Sequence, residues 1–258
     1  MGQRAVAGCH TASRLPHAYV LAGGLGLRLR SVVRDRPKAL AEVGGHPFLD
    51  FVIGQIAAHG GTAITLCTGY GTVAVRSFVG DGSRWGIRVD VSAEDHPLGT
   101  AGALRLAWAA AGSADGEALV VNGDSFFDVP LADLVAAHRA TDADVTIALH
   151  RATDAGRFGS VELAGDRVIA FREKAAAGPA LINGGIYVVR PSVVDRLPTG
   201  APASLERDLF PALIEDPTAI VIGRSFPGFF TDIGVPADYG RIRANLPPEM
   251  ARYTGASS

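Results

Sequence analysis

The sequence predicts an α/β fold, a mixed and mainly parallel sheet flanked by helices. Three observations predict it. In the first half of the chain, short apolar runs alternate with segments of helical periodicity, the pattern of strands joined by crossover helices. Loops rich in glycine and charge follow those apolar runs, where ligands sit in such sheets, at the carboxyl ends of the strands. The second half then turns strand-rich with few helices between its runs, so a more mixed part of the sheet follows the parallel part.

The elements read as follows. Residues 1–17 show no periodicity and are expected to form a flexible extension. Tyr19 to Ala22 is the first buried strand. Pro47 to His59 is a helix, with proline at its start and Phe48, Phe51, Val52 and Ile56 on one face. Ile64 to Cys67 is the second strand, and Ile87 to Val91 alternates apolar and polar side chains. Thr100 to Ala111 is helical with Thr100 as its N-cap, and Leu119 to Val121 is another buried strand. Val145 to Leu149, Ser160 to Leu163, Val168 to Phe171 and Ile182 to Val189 are strands. A helix from Ser204 to Ile214, a strand from Ala219 to Ile222 and a helix from Pro236 to Ala244 close the pattern. Residues 247–258 open on two prolines and are expected to be a flexible tail. No linker interrupts the middle. Residues 18–246 are therefore expected to be one domain of two lobes, about 18–128 and about 129–246.

Composition narrows the function. The chain has 258 residues, 48% hydrophobic and 19% charged, enough apolar material for a sizeable core. Its formal net charge of −2 argues against a nucleic-acid partner, which asks for a basic excess. Cys9 and Cys67 are the two cysteines, too few for a disulfide framework or a zinc-ligand set. No apolar run has membrane length, and Met1 to Pro16 lacks the continuous apolar segment of a signal peptide. No membrane partner is expected, and the cytoplasm is the expected compartment.

The chemistry-bearing loop comes directly after the first strand: Leu21-Ala22-Gly23-Gly24-Leu25-Gly26-Leu27-Arg28. Glycines let the backbone approach a ligand and aim N–H groups at phosphate oxygens. The loop lacks the third glycine of a dinucleotide fingerprint and the Gly-Lys-Ser/Thr of a P-loop. Arg28 adds a planar, permanently charged fork, and Pro37-Lys38 places a lysine beside a rigid proline. Taken with this spacing, the stretch through Pro37-Lys38-Ala39-Leu40 resembles the signature of the sugar-1-phosphate nucleotidyltransferases. Leu27 stands where that family has threonine. The resemblance runs from about Ala18 to about Asn245 through five ordered motifs, and implies a nucleotidyltransferase domain of the GT-A-like type without a C-terminal β-helix.

The resemblance also implies roles. Arg28 and Lys38 hold the triphosphate together with Leu21, Ala22, Gly23, Gly24 and Gly26. Asn122-Gly123-Asp124 and Asp232-Ile233-Gly234 match the segments that carry the metal aspartates; hard carboxylate oxygens suit magnesium, so Mg²⁺ is the expected cofactor on Asp124 and Asp232. On the sugar-phosphate side, Glu173, Asn183, Gly184 and Gly159 match sugar contacts and Lys174 matches the contact to the sugar phosphate. The loop Glu94 to Gly102, with Pro97, Leu98, Gly99 and Thr100, matches the base-reading segment. An ionised carboxylate can accept both donors on the pairing edge of guanine, so Glu94 favours GTP. The expected reaction joins GTP to a sugar 1-phosphate with release of pyrophosphate, with Arg28, Lys38, Asp124 and Lys174 as catalytic residues. The short chain looks most like the D-glycero-α-D-manno-heptose 1-phosphate form. Mannose 1-phosphate is the runner-up and a uridylyltransferase for an amino-sugar phosphate the third choice. A catalytically silent regulatory homologue and a glycosyltransferase are the competing classes. For the latter, Asp142-Ala143-Asp144 has the spelling but precedes a strand. Oligomeric state, a homo-oligomer included, stays open.

Overall fold

The computed structural model describes residues 14–24, 26–29, 31–33, 35–111, 116–156, 158–172 and 178–254. Most of the expected N-terminal extension, Cys9, Glu173 and Lys174 lie outside the described residues. In chain order the structure contains β1 (His17–Leu21), β2 (Glu42–Val43), β3 (His46–Pro47), α1 (Phe48–Ala58), β4 (Ala63–Thr68) and α2 (Thr72–Val79). Next come β5 (Arg88–Ala93), α3 (Gly99–Ala110), β6 (Ala118–Asn122), β7 (Ser125–Phe127) and α4 (Leu131–Ala140). The second half holds β8 (Val145–Ala152), β9 (Ser160–Ala164), β10 (Arg167–Arg172), β11 (Ala180–Val189), α5 (Pro191–Asp195) and α6 (Phe210–Glu215). It ends with β12 (Val221–Phe226), β13 (Phe230–Asp232), α7 (Pro236–Ala244) and α8 (Pro248–Ala251). Among the described residues, no helix is long and apolar enough to cross a membrane.

Nine strands form one sheet among the described residues, in the order β5-β4-β1-β6-β11-β8-β12-β10-β9. The first four run parallel, as expected of runs separated by helices. Strand β11 inverts the direction: it is antiparallel to both β6 and β8, while β12 is parallel to β8. The sheet buries both faces, because alternate residues on a strand point to opposite sides. Val20, Leu66, Val121 and Val188 enter one core with α1, α2 and α4. Tyr19, Cys67, Val120 and Tyr187 enter the other with α3, α5 and α6. Trp108 and Phe210 are fully buried in the second core; complete burial of a large apolar side chain contributes about 1.5–3 kcal/mol.

Three local readings are corrected. Thr100 does not cap its helix: α3 begins at Gly99 with Leu98 as N-cap and no side-chain cap, and the Thr100 hydroxyl bonds instead to Glu206. The segment from Ser204 is not one α-helix. A π-helical turn over Leu205–Leu209 precedes α6, and Ser204 caps it by accepting the Arg207 N–H. The segment expected as a loose tail is docked as far as it is described. Met250 and Tyr253 are buried, and a Cβ on Gly54 would fall 1.6 Å from the Tyr253 carbonyl oxygen, so glycine lets the chain lie on α1.

Candidate active site

The site lies at the carboxyl ends of the parallel strands. Past β1 the chain turns through Gly23 and Gly24. A Cβ on Gly23 would stand 3.1 Å from Glu94 Oε1 and one on Gly69 only 2.5 Å from it, so both glycines make room for that carboxylate. Gly26 has φ +58°, and a Cβ there would be 2.9 Å from Lys38 Cβ; the left-handed backbone and the close approach both ask for glycine. Arg28 is exposed on the 3₁₀ turn Leu27–Leu29, whose Leu29 is its buried anchor. Lys38 opens a second 3₁₀ turn, Lys38–Leu40, behind Pro37.

Two distant pairings set the aspartates beside one another. Gly123 N–H donates to the Leu21 carbonyl at 2.9 Å, and a Cβ on Gly123 would be 2.9 Å from that oxygen. Glycine therefore lets the end of β6 hug β1 and deliver Asp124. Strands β13 and β7 form a small antiparallel ladder in which Asp232 faces Ser125. Just beyond it the Ile233 N–H donates to the Asp124 carbonyl at 3.0 Å. Lys38 Nζ donates to Asp124 Oδ2 at 2.7 Å, the lysine side chain 12% exposed and the aspartate 47%. Asp232 Oδ1 accepts the Gly234 N–H at 3.2 Å.

Two adjoining cavities share this ground. One, of about 370 Å³, is lined by Leu21, Gly23, Gly24, Glu94, Pro97, Gly99 and Thr100. The other, of about 290 Å³, is lined by Arg28, Lys38, Gly159, Asn183, Gly185 and Asp232. Asn122, Asp124 and Glu206 line both. In the larger cavity Glu94 Oε2 accepts the Leu98 N–H at 3.0 Å. Burial raises the Glu94 carboxyl above its ordinary value, against the opposing pull of that N–H and of His96. Cys67 lies at the cavity floor, and burial pushes its thiol up to about 12, which leaves it inert as a nucleophile.

Most residues expected from the sequence thus come together. Others lie behind the surface. Ala22 and Leu98 are buried, and the Leu98 carbonyl accepts the Ala203 N–H. A Cβ on Gly184 would meet the Phe127 ring at 2.3 Å, so packing accounts for that glycine, while Gly185 lines the cavity. Sequence reasoning missed Glu206, Ser125 and the aromatic lining of Phe158, Phe171 and Phe230. No local signal marks them: a glutamate near the start of a helical segment reads as a solvated end residue.

Among the described residues no three His, Cys, Asp or Glu side chains gather to hold a metal unaided. A pair of aspartates completed by substrate phosphate oxygens fits magnesium, which usually takes only one or two carboxylates from protein.

Residues 17–247 match the family model described as Nucleotidyl transferase. The chain is 39% identical over 231 residues to the mannose-1-phosphate guanylyltransferase of Mycobacterium tuberculosis, covering 89% of this chain and 64% of that protein's length. It is 32% identical to the D-glycero-alpha-D-manno-heptose 1-phosphate guanylyltransferase of Aneurinibacillus thermoaerophilus, covering 89% and 97%. Among solved structures, HddC from Yersinia pseudotuberculosis complexed with GMP-PN superimposes with a TM-score of 0.79 at 27% identity, over 90% of this chain and 100% of that one. With its glycine loop, Lys38–Asp124 pair and paired aspartates set on this sheet, the chain belongs to the nucleotidyl transferase family.

Proposed function

We propose that the protein is a magnesium-dependent guanylyltransferase that joins a sugar 1-phosphate to GTP, giving a GDP-sugar and pyrophosphate. D-glycero-α-D-manno-heptose 1-phosphate is the favoured sugar and mannose 1-phosphate the alternative. The observation that carries this reading is the Lys38–Asp124 pair, whose aspartate lines both cavities. A nucleotide in the cavity of Glu94 and a sugar phosphate in the cavity of Asp232 would meet there. The similarity to the heptose enzyme over 97% of its length supports the choice of sugar.

In this reading an oxygen of the sugar phosphate attacks the α-phosphorus of GTP in line. The new P–O bond forms as the bond to the β-phosphate oxygen breaks, and pyrophosphate carries off the electron pair. The nucleophile is already anionic, so no protein base is needed. Lys38 neutralises charge at the α-phosphate, and Arg28, at the exposed rim, faces the leaving pyrophosphate. Asp124 and Asp232 would hold magnesium, which supplies Lewis-acid charge neutralisation when bound. The chain's own contribution is positioning and electrostatics. Glu94, held by Leu98, would accept both guanine donors.

The test is pyrophosphate release across four triphosphates and several sugar 1-phosphates. Turnover with GTP and a manno-configured sugar phosphate is expected, and Asp124→Asn and Asp232→Asn should each remove it while the circular dichroism spectrum stays unchanged. No turnover with any pair would mean a silent homologue; near wild-type rate in either variant would refute the metal assignment.

A further inference from the structure

Glu206 lies on the boundary between the two cavities, and an array of hydroxyl groups holds it there. Tyr187 Oη donates to Glu206 Oε1 at 3.1 Å, and Thr100 Oγ1 and Ser204 Oγ donate to Oε2 at 3.0 Å each. A carboxylate oxygen only accepts, so all three hydroxyls donate to Glu206, and each hydroxyl oxygen accepts an N–H in turn. Leu205 N–H donates to Thr100 at 2.8 Å, Arg207 N–H to Ser204 at 3.2 Å, and Asn183 Nδ2 to Tyr187 at 2.8 Å. The Asn183 amide is set in turn by the Gly185 N–H at 2.9 Å. The carboxylate rides on the π-helical turn Leu205–Leu209, a rare conformation that recurs at functional sites. Burial, and then the neighbouring Glu206, raise the Tyr187 phenol well above its ordinary value, which keeps it a donor.

A carboxylate offers about four acceptor positions. Three are filled, which leaves capacity on Oε1. Asn122 Oδ1, on the same boundary, is buried with no hydrogen-bond partner among the described residues. Unfilled acceptor positions therefore remain on this boundary. A phosphate oxygen cannot supply a donor and would be repelled by Glu206; a hydroxyl can. In a sugar 1-phosphate held by Lys38 and the aspartates, the hydroxyl nearest the phosphate is the one on the adjacent carbon, C2.

We propose that Glu206 accepts a hydrogen bond from the sugar C2 hydroxyl and so selects the manno configuration. This rests on the guanylyltransferase reading above. The C2 hydroxyl is axial in manno sugars and equatorial in gluco sugars. A carboxylate pinned by three donors cannot follow it from one position to the other. The same residue also accounts for a binding preference shared by hexose and heptose, which differ at the far end of the ring.

The experiment measures kcat/KM with GTP for mannose 1-phosphate, its 2-deoxy analogue and glucose 1-phosphate, in the wild type and in Glu206→Gln. The wild type should favour mannose 1-phosphate over the other two by about 10- to 100-fold. Glu206→Gln should bring that preference to within about threefold, mostly by losing activity on mannose 1-phosphate, with KM for GTP unchanged. If the variant does not fold by circular dichroism, Ser204→Ala, which removes one brace, should narrow the preference in the same direction. An equal loss on all three sugars would overturn the proposal. So would an altered preference for GTP over 2′-deoxy-GTP, since Glu206 would then read the ribose. If the wild type with GTP turns over none of these three sugars and not D-glycero-α-D-manno-heptose 1-phosphate either, the guanylyltransferase reading falls and this one with it; if it turns over any of them and no preference for the manno sugar is lost in either variant, this one alone falls.

Discussion

Burial raises the Glu94 carboxyl above its ordinary value, yet the Leu98 N–H and the room left by Gly23 and Gly69 hold that group in place. A partly desolvated carboxylate with a fixed orientation discriminates between partners better than a solvated one, because a base that cannot supply donors leaves it poorly paired. Glu94→Gln should lower kcat/KM for GTP by about tenfold to a few hundredfold and raise relative activity with UTP or dTTP, whose pairing edges mix donor and acceptor. The wild-type preference should also depend on pH. As pH falls through the raised Glu94 value, the carboxyl gains a proton, ceases to be a double acceptor, and the preference for GTP shrinks. The glutamine variant should show no such slope. Competition between GTP and UTP, run from about pH 8 down past the ordinary carboxyl value to about pH 4 in both proteins, checks this. Parallel profiles would mean that Glu94 does not read the base.

At the scale of elements, α4 carries a buried histidine with a consequence for stability. His138 is 3% exposed, and its Nδ1 lies 2.9 Å from Thr146 Oγ1 of β8. Burial lowers its pKa from the ordinary 6.5 to about 4. Below pH 6.5 the unfolded chain takes up a proton that the folded one refuses, so stability drains as pH falls from 6.5 towards 4 and the loss then levels off. The full interval corresponds to about 3 kcal/mol. His138→Gln, which keeps a polar partner for Thr146, should remove that part of the acid slope in urea unfolding; equal slopes in both proteins would contradict the assignment. The elements also show what the sequence made legible. Runs such as Leu119–Val121 and Val145–Leu149 announced themselves because strands buried on both faces are nearly continuously apolar. The ladder between β13 and β7 did not, since Phe230–Asp232 is three residues long and its partner lies a hundred positions away. Thr100 has the composition of a cap, but a glutamate 106 residues later claims its hydroxyl. Lys38 and Asp124 were each readable through local motifs. Their 2.7 Å contact across 86 positions was not, nor was Glu206, whose place depends on three separate segments meeting.

Across the whole molecule, β11 joins what the sequence divided into two lobes. It is hydrogen-bonded to β6 on one side and β8 on the other, and both cores draw on each half: Val20 with Val188, and Tyr19 with Tyr187 and Val221. The register slip between Asn183 and Tyr187, with Gly185 at φ +75°, bends β11 where it borders the site, as bulges do next to active sites. Opening the site-facing end of one half therefore disturbs the core of the other. We predict one cooperative unfolding transition in calorimetry for the described body of the chain. GTP with magnesium, in the absence of sugar phosphate, should shift that whole transition upward. At about 100 times Kd the linkage is about 2.7 kcal/mol, and a chain of this size gains roughly 2–4 °C per kcal/mol, so the expected shift is roughly 5–10 °C. Asp124→Asn should abolish the magnesium-dependent part of the shift. Two resolved transitions, only one of them moved by nucleotide, would show that the lobes unfold separately, and that β11 passes between two cores instead of uniting them.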